Sequence, residues 1–534
     1  MQAKKANRFS YSGFLMALAL LCVCAAKVYA APSRLSVCRD VILDEQGRQV
    51  FLWGVNVGEK SSARRHESRH EPEDFHNLRR WGMNAVRLLV FWSAIEPAPG
   101  QYDAAYLQSV DKRIDWAREA GLYVVLDMHQ DLWSEAIPGG NGAPAWATLD
   151  DGLPHRVAGG AWSTAYFTSP RIHRAFDNFW ANTPGPDGVG IQERFALAWQ
   201  HLAARYADDP TVAGFDFMNE PFPGSTIHDG ALEVWRAIPD IFRGASMPNG
   251  FGALLASLEE KPFPSWLLNA LDKPFRHRRV LKALEPMMRA FERDKLMPMY
   301  RRTHQAIREV NNTGIIFLEP SVIANIGTPT SIEPLTDAQD MRDPLQAYMP
   351  HAYDIVVDTP LSHEPSRNRL DVIFSQKQQD ARRLGMPLLI GEWGAFYGNK
   401  KTRDAARMKT AIIETLATGA FYWDYHRDIA DAVYFESLAR PQPLALAGRL
   451  ERQSFDPDSG VFTCVWTVNP SIDADSVFAA PRFWSMTPPE VRISPDTVAF
   501  RIESRRNDTE TVYVIVTTPD EAARITLAMT RSAP

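Results

Sequence analysis

Cysteine is scarce in this chain: of 534 residues four are Cys, and two of them, Cys22 and Cys24, fall inside an apolar N-terminal stretch. The remaining pair, Cys38 and Cys464, is too small for a disulfide framework and admits either one bridge or two separate thiols. No Cys/His cluster has zinc-ligand spacing, so neither a metal nor another cofactor is expected. Positive charge is not in excess either. With a formal net charge of −6 and no long run of like charges, the chain has no basic footprint and nucleic acid is excluded as an expected partner. Internal repeats and low-complexity segments are missing as well, which removes solenoids and disordered arrays from consideration.

Long apolar runs are confined to Phe14–Ala26, preceded by Lys4, Lys5 and Arg8 and followed by Val28-Tyr29-Ala30. That order is the order of a secretory signal, so residues 1–30 read as a cleaved leader and the mature protein as secreted or periplasmic. An uncleaved membrane anchor is the competing reading.

What is present is an alternation of short apolar segments with longer amphipathic ones. Eight strands are expected, at Val50–Asn56, Asn84–Val90, Leu122–His129, Val212–Asn219, Gly314–Glu319, Ala347–Ala352, Pro387–Glu392 and Gly419–Trp423. Their richness in Val, Ile, Leu and Phe suits strands covered on both faces, and stretches such as Ala105–Ala120 and Asp371–Leu384 carry helical spacing between them. Eight βα units make an α/β fold, a (β/α)8 TIM barrel over residues 31–443, whose site lies at the C-terminal strand ends. Beyond it the texture turns to β-branched runs such as Val461–Val468, Thr497–Ile502 and Thr511–Thr517. Residues 444–534 therefore read as a β-sandwich module, for sugar binding or for packing alone.

Two of the expected strands finish in carboxylates, Glu220 in FDFMNEPFPG and Glu392 in LLIGEWGAF. A lone Glu at a strand end is commonly an ion-paired or capping group. Two of them, together with Arg87 in NAVRLLV, His129 in DMHQDLW, His351 and Tyr353 in PHAYD and Trp423 in FYWDY, form a set that is costly to bury unless its members pair with one another or with a ligand. Hydrolysis of a glycosidic bond needs one protonated and one ionised carboxyl group, which such a pair supplies.

On these residues, with Asn219 beside Glu220, the barrel resembles glycoside hydrolase family 5. The resemblance implies a retaining β-glycosidase with Glu220 as general acid/base, its pKa raised, and Glu392 as ionised nucleophile. It further implies that Asn219 bonds the sugar 2-hydroxyl, that Arg87 and Tyr353 hold Glu392, that His129 and His351 position hydroxyls and carboxylates, and that Trp423 offers a ring face to the sugar. The stretches DMHQDLWSEAIPGGNGAPAWA, AFDNFWAN at Ala175–Asn182 and ARPQPLALAG at Ala439–Gly448 are similar to the endoglycoceramidase branch of that family. By that likeness Lys60 and Asp131 contact the sugar, and the substrate is the glycan–ceramide linkage of a glycosphingolipid.

An insertion at about 223–298 is rich in apolar residues at helical spacing: Phe251, Leu254, Leu255 and Leu258, then Trp266, Leu267, Leu268 and Leu271, then Val280, Leu281, Leu284, Met287 and Met288. Three uses fit it: a groove for acyl chains, contact with a membrane surface through Arg276, Arg278 and Arg279, or packing of the insertion onto the barrel. Other functions to be weighed are a family 5 endo-β-glucanase or mannanase, a glucosylceramide or steryl glucoside β-glucosidase, and a non-catalytic glycolipid-binding protein.

Overall fold

A computed structural model describes residues 32–157, 162–241, 243, 265–504 and 511–531. The leader at 1–30 and the first apolar stripe of the insertion, Phe251 to Leu258, lie outside these residues. Eight parallel strands form the central sheet: β1 (Leu52–Val57), β2 (Ala85–Val90), β3 (Tyr123–Met128), β4 (Val212–Asp216), β5 (Ile315–Leu318), β6 (Gln346–Tyr348), β7 (Leu389–Gly394) and β8 (Gly419–Trp423). Each strand pairs with the next, β8 pairs with β1, and a parallel bridge between Tyr348 and Leu388 brings β6 to β7, so the sheet curls into a barrel. Local chemistry fixes the helix ends between them. The helix Ala104–Ala120 starts where the Asp103 carboxylate accepts from the backbone N–H of Ala105 and Tyr106 at 2.8 and 3.0 Å, and stops at Gly121 with φ +70°.

The barrel interior is layered. Leu52, Ala85, Val125, Ile315, Phe317, Ala347, Leu389 and Phe421 fill one end with apolar side chains, continuous with Leu35, Ile42 and Val50 below them. Above that layer the inward positions turn polar: on β2 Ala85 gives way to Arg87, and on β3 Val125 to Asp127. On β7 simple alternation would point Leu389 and Glu392 to opposite faces. A register shift between Ile390 and Trp393 resets the parity, so that Trp393 packs outward while Glu392 reaches Arg87 inside.

The remaining strands make two antiparallel sheets. One has four strands (Gly448–Asp456, Val461–Val468, Arg524–Thr530, Glu490–Ser494) and the other seven. They meet through Trp466 and Phe462 of the first and Phe478 of the second. The second sheet corrects a sequence boundary: its first three strands, Ser36–Cys38, Val41–Leu43 and Gln49–Val50, come from the N-terminal side of the barrel. Val50, expected in the first barrel strand, pairs instead with Ile42 and Ala445. The seven-stranded sheet is thus built from both ends of the chain. Cys38 is exposed and Cys464 buried, and both are free thiols.

The described part of the insertion is helical, with Ile227–Ile241, Ser265–Leu271 and Pro274–Phe291 leading through a π-helical turn, Glu292–Leu296, into Met297–Arg308. Leu271 packs with Ala270 and Ile241, bordered by Trp266, Leu267, Val280 and Ile355, while Met288 and Leu281 are buried. Among the described residues these stripes cover helix faces, and none of them lines the cavity at the strand ends.

Candidate active site

Glu220 lies just past β4, where the chain turns sharply enough to hold it at φ +47°. A non-glycine residue in the left-handed region is strained unless its surroundings hold it there. Here its N–H donates to Glu319 Oε2 at 3.0 Å, and its carbonyl accepts from Gln130 Nε2 at 3.2 Å. The Glu220 side chain then faces His351 and Glu392: one ligating atom from each of the three lies within 4.8 Å of the others. Glu220 Oε1 accepts from Asn325 Nδ2 at 2.6 Å and lies 2.9 Å from His351 Nδ1. Glu392 accepts from Arg87 Nη1 at 3.0 Å on one oxygen and from the Tyr353 hydroxyl at 2.9 Å on the other.

Arg87 is the hub beneath the pair. Fully buried, it donates to Asp216 at 2.8 Å, Glu319 at 2.8 Å, Asn219 Oδ1 at 3.0 Å and Asn56 Oδ1 at 3.0 Å as well as to Glu392, and lies 3.0 Å from Asp127. A buried guanidinium is tolerable only with its donors saturated, and here they are. Burial opposes the charge of His351, but Glu319 and Glu392 outweigh it and drive its pKa well up, so the imidazolium sits between Glu220 and Glu319. Burial and the adjacent Glu319 push the Asp216 pKa well up, whereas the burial of Glu319 is outweighed by His351 and Arg87.

Burial also pushes Glu392 up to about 7, against the pull of His351 and Arg87 and with the push of the Glu220 charge. The family resemblance implies a raised value on the acid/base partner as well. In a pair this close the protons belong to the pair, and the charge on one carboxylate helps retain a proton on the other.

On the far wall Lys60 Nζ lies 2.7 Å from Asp131 and 4.3 Å from the centre of the Trp423 ring, which stacks on His129 at 5.2 Å. His129 Nδ1 is 2.8 Å from Asp127. Burial of Asp131 is outweighed by Lys60 and His129, which hold it far below the usual carboxylate range. Asn219, on whose amide the 2-hydroxyl contact was expected, borders the cavity with Nδ2 bonded to the Gln130 carbonyl at 3.1 Å.

The structure therefore brings together the ten residues singled out at the strand ends. Lys60, His129, Asp131, Asn219, Glu220, Tyr353, Glu392 and Trp423 line a cavity of about 190 Å³, and Arg87 and His351 support it from below. Its wall next to Glu220 is apolar, made by Phe222, Val322, Ile323 and Ile326, which flank Glu220 and Asn325, and by Phe167 against Phe222. Past Lys60 and Trp423 it continues into a crevice of about 700 Å³ with Asp358, Ser362, Tyr397, Asn399 and Asp424 on its walls. A wider space of about 860 Å³ opens at the other end of the barrel, beside Gln346, Leu388 and Thr418, remote from the carboxylates and at the end where TIM barrels carry stability rather than chemistry.

Among the described residues, Glu220, His351 and Glu392 are the group with metal-ligand spacing, but the positive charge there is already supplied by Arg87 and His351. Sequence reasoning missed Asp127, Asp216, Glu319 and Asn325. For Glu319 a signal existed, since it closes an apolar strand just as Glu392 does; Asn325 sits in a loop with no pattern to mark it.

Comparison with known proteins agrees with this geometry. Residues 43–428 match the family profile Cellulase (glycosyl hydrolase family 5), and residues 440–527 match Glycoside hydrolase family 5 C-terminal domain. Endoglycoceramidase I of Rhodococcus hoagii (strain 103S) is 26% identical over 82% of this chain and 78% of its own length. A glucosylceramidase of Rhizopus delemar is 35% identical, over 28% of this chain and 26% of its own. Among solved structures, endo-glycoceramidase II from Rhodococcus sp., in complex with a five-membered iminocyclitol, superposes with a TM-score of 0.70 at 28% identity, covering 92% of this chain and all of that one. The same enzyme has been solved with ganglioside GM3 (TM-score 0.70, 26% identity) and as a lactosyl-enzyme intermediate (TM-score 0.69, 27% identity). With its barrel, its paired carboxylates and its C-terminal module all matched, the chain is a glycoside hydrolase and belongs to family 5.

Proposed function

We propose that the protein hydrolyses the linkage between glycan and ceramide in glycosphingolipids by double displacement, with Glu220 as acid/base and Glu392 as nucleophile. The observation that carries this reading is a carboxylate pair with oxygens within 4.8 Å, set between an apolar wall on the Glu220 side and, on the other, a crevice in which Asp358, Ser362, Asn399 and Asp424 alternate with the aromatic rings of Trp162, Phe396 and Tyr397. A separation of roughly 5 Å suits direct attack on the anomeric carbon rather than activation of an intervening water. The acid must face the leaving oxygen, so the group leaving past Glu220 meets Val322, Ile323, Ile326, Phe167 and Phe222, as a lipid would. The sugar lies toward Trp423, Lys60 and Asp131, and further sugars extend along the crevice. Protonation of Glu220 removes the charge that helps raise Glu392, so the reactive form carries one proton on Glu220 and an ionised Glu392 held by Arg87 and Tyr353. The endoglycoceramidases named above, one of them captured as a lactosyl-enzyme, support the same assignment.

Incubation with lactosylceramide, glucosylceramide and a soluble β-glucan, in separate reactions, tests it. Release of intact lactose with free ceramide is expected. Glucose from glucosylceramide alone would make the protein a glucosylceramidase, and turnover of the glucan alone would return it to the polysaccharide-cleaving members of the family.

Export and membrane contact belong to the same proposal. The leader at 1–30 directs the chain out of the cytoplasm, which N-terminal sequencing of the mature protein checks. Among the described residues no helix is long and apolar enough to cross a membrane. Contact with the lipid surface is instead assigned to exposed Phe167, Leu232, Trp235 and Phe275, the last flanked by Arg276 and Arg279 at 5.3 and 5.8 Å from its ring. Co-sedimentation with anionic vesicles, weakened by Phe275→Asp, is the expected result.

A further inference from the structure

The loop after β5, from Glu319 to Ile332, supplies the apolar wall through Val322, Ile323 and Ile326, and it carries Asn325, whose amide donates to Glu220 at 2.6 Å. What holds this loop is unusual. Glu292, in the π-helical turn Glu292–Leu296, is completely buried, yet among the described residues no cation is bonded to it. Its carboxylate accepts from the Ser321 N–H at 3.1 Å, the Thr330 hydroxyl at 2.9 Å and the Ser331 N–H, so one side chain ties both ends of the loop. Lys377, in the helix Arg367–Leu384, is 1% exposed, and its ammonium donates to the carbonyl of Ala324 at 2.9 Å, next to Asn325. Two turns on, Arg383 donates to the carbonyls of Thr330 and Ile332 at 2.9 and 3.0 Å.

Burial draws Lys377 down and Glu292 up, each to about 7, and burying an amine and a carboxyl group on separate backbone contacts costs more than an apolar filling of the same space. What these polar groups give in return is the placement of one loop. Asn325 and His351 both address Glu220 Oε1, which leaves Oε2 as the oxygen that carries the transferable proton. Displacing Asn325 would let that carboxyl group turn and present its proton in the wrong direction.

Resting on the assignment of Glu220 as acid/base, we propose that Glu292 and Lys377 are positioning residues for proton donation: they touch neither substrate nor the reacting carboxylates, and they fix the Glu319–Ile332 loop so that Asn325 orients Glu220. A purely structural role would not act on one step of the reaction selectively, and that selectivity is the test.

The full-length protein is assayed by kcat/KM, which reports bond cleavage, on 2,4-dinitrophenyl and alkyl β-lactosides. The first leaving group departs without a proton and the second needs one. Lys377→Met and Glu292→Gln are expected to stay within about threefold of wild type on the dinitrophenyl substrate and to lose roughly tenfold to a hundredfold on the alkyl one, the scale of a partly misplaced general acid. Asn325→Ala should show the same selectivity, and the double variant Asn325→Ala/Lys377→Met should be no worse than Asn325→Ala alone. Equal losses on both substrates in a variant that melts as wild type does, or additive losses in the double variant, would overturn the proposal. Where Glu292→Gln does not fold, Lys377→Met and the double variant decide. Glu220→Gln is measured alongside: if it too loses both substrates equally, the acid/base assignment itself fails, independently of the loop.

Discussion

Tyr353→Phe removes one donor from Glu392 and little else. The ring is 7% exposed, the carboxylate 5%, and the hydroxyl lies 2.9 Å from Oε2, so phenylalanine occupies the same space without the bond. The next donor toward that oxygen, His351 Nδ1, is 3.5 Å away. A hydrogen bond to a charged group contributes about 1.5–3 kcal/mol, and in a buried site solvent screens little of it. One pKa unit corresponds to about 1.4 kcal/mol, so losing the bond should raise the Glu392 pKa by roughly one to two units. The sign follows from the donor's preference for the ionised form: without it that form is less stable and needs higher pH. In the parent enzyme burial raises Glu392, to about 7 while Glu220 is charged and less once Glu220 is protonated, so kcat/KM should fall as pH drops below the neutral range. In the variant that acid limb should lie roughly one to two units higher. The assay is the pH profile of kcat/KM on an aryl β-lactoside, with a thermal melt at each pH to exclude unfolding. An acid limb in the same place for both proteins would refute the reasoning and leave Tyr353 as a packing residue.

Glu392→Gln and Glu220→Gln should each fold and lose kcat by several orders of magnitude, and addition of EDTA to the wild type should leave the rate unchanged; near-normal turnover by either variant on lactosylceramide would remove that residue from the mechanism. NMR of the first sugar released should show the β-anomer, and initial appearance of the α-anomer would rule out a covalent intermediate on Glu392. Ile323→Ser or Ile326→Ser should weaken kcat/KM on lactosylceramide by roughly tenfold or more while sparing a small aryl lactoside, because burying an aliphatic side chain against a lipid contributes about 1.5–3 kcal/mol that a small leaving group cannot use. Equal losses on both substrates would instead mark these residues as core. Trp266→Ser serves as the contrasting variant: its surroundings are Ala270, Leu271 and Ile241, so its effect should fall on stability and not on the ratio of the two activities.

The barrel was legible because each of its strands is a local event. A run such as Val86-Arg87-Leu88-Leu89-Val90 between helical stretches declares a strand covered on both faces whatever its neighbours are, and a charged residue inside such a run has to be at a site or in a buried pair. That is why Arg87, Glu220, Glu392, His351 and Tyr353 could be read from the chain, and why the change to β-branched alternation announced a second module. The fold class and the main polar side chains of the site were therefore determined by the sequence itself. The parity reset on β7 was not, because a bulge depends on how the partner strand is aligned and leaves no mark in composition.

Only the tertiary structure decided which surfaces face each other. The strands at residues 36–50 look like the approach to a barrel, yet they complete the C-terminal sheet, since an edge strand takes whichever partner the returning chain presents. The apolar stripes around Leu271 and Met288 show that a helix face is covered without showing by what, and the wall beside Glu220 came from Phe167, Phe222 and the loop after β5 instead. Asn325 meets Glu220 across 105 residues of chain, and Lys377 reaches Ala324 across 53. Contacts of that kind exist only once closure of the barrel has brought distant loops to one end, because a side-chain hydrogen bond is decided by separations of a few tenths of an ångström that local periodicity does not encode.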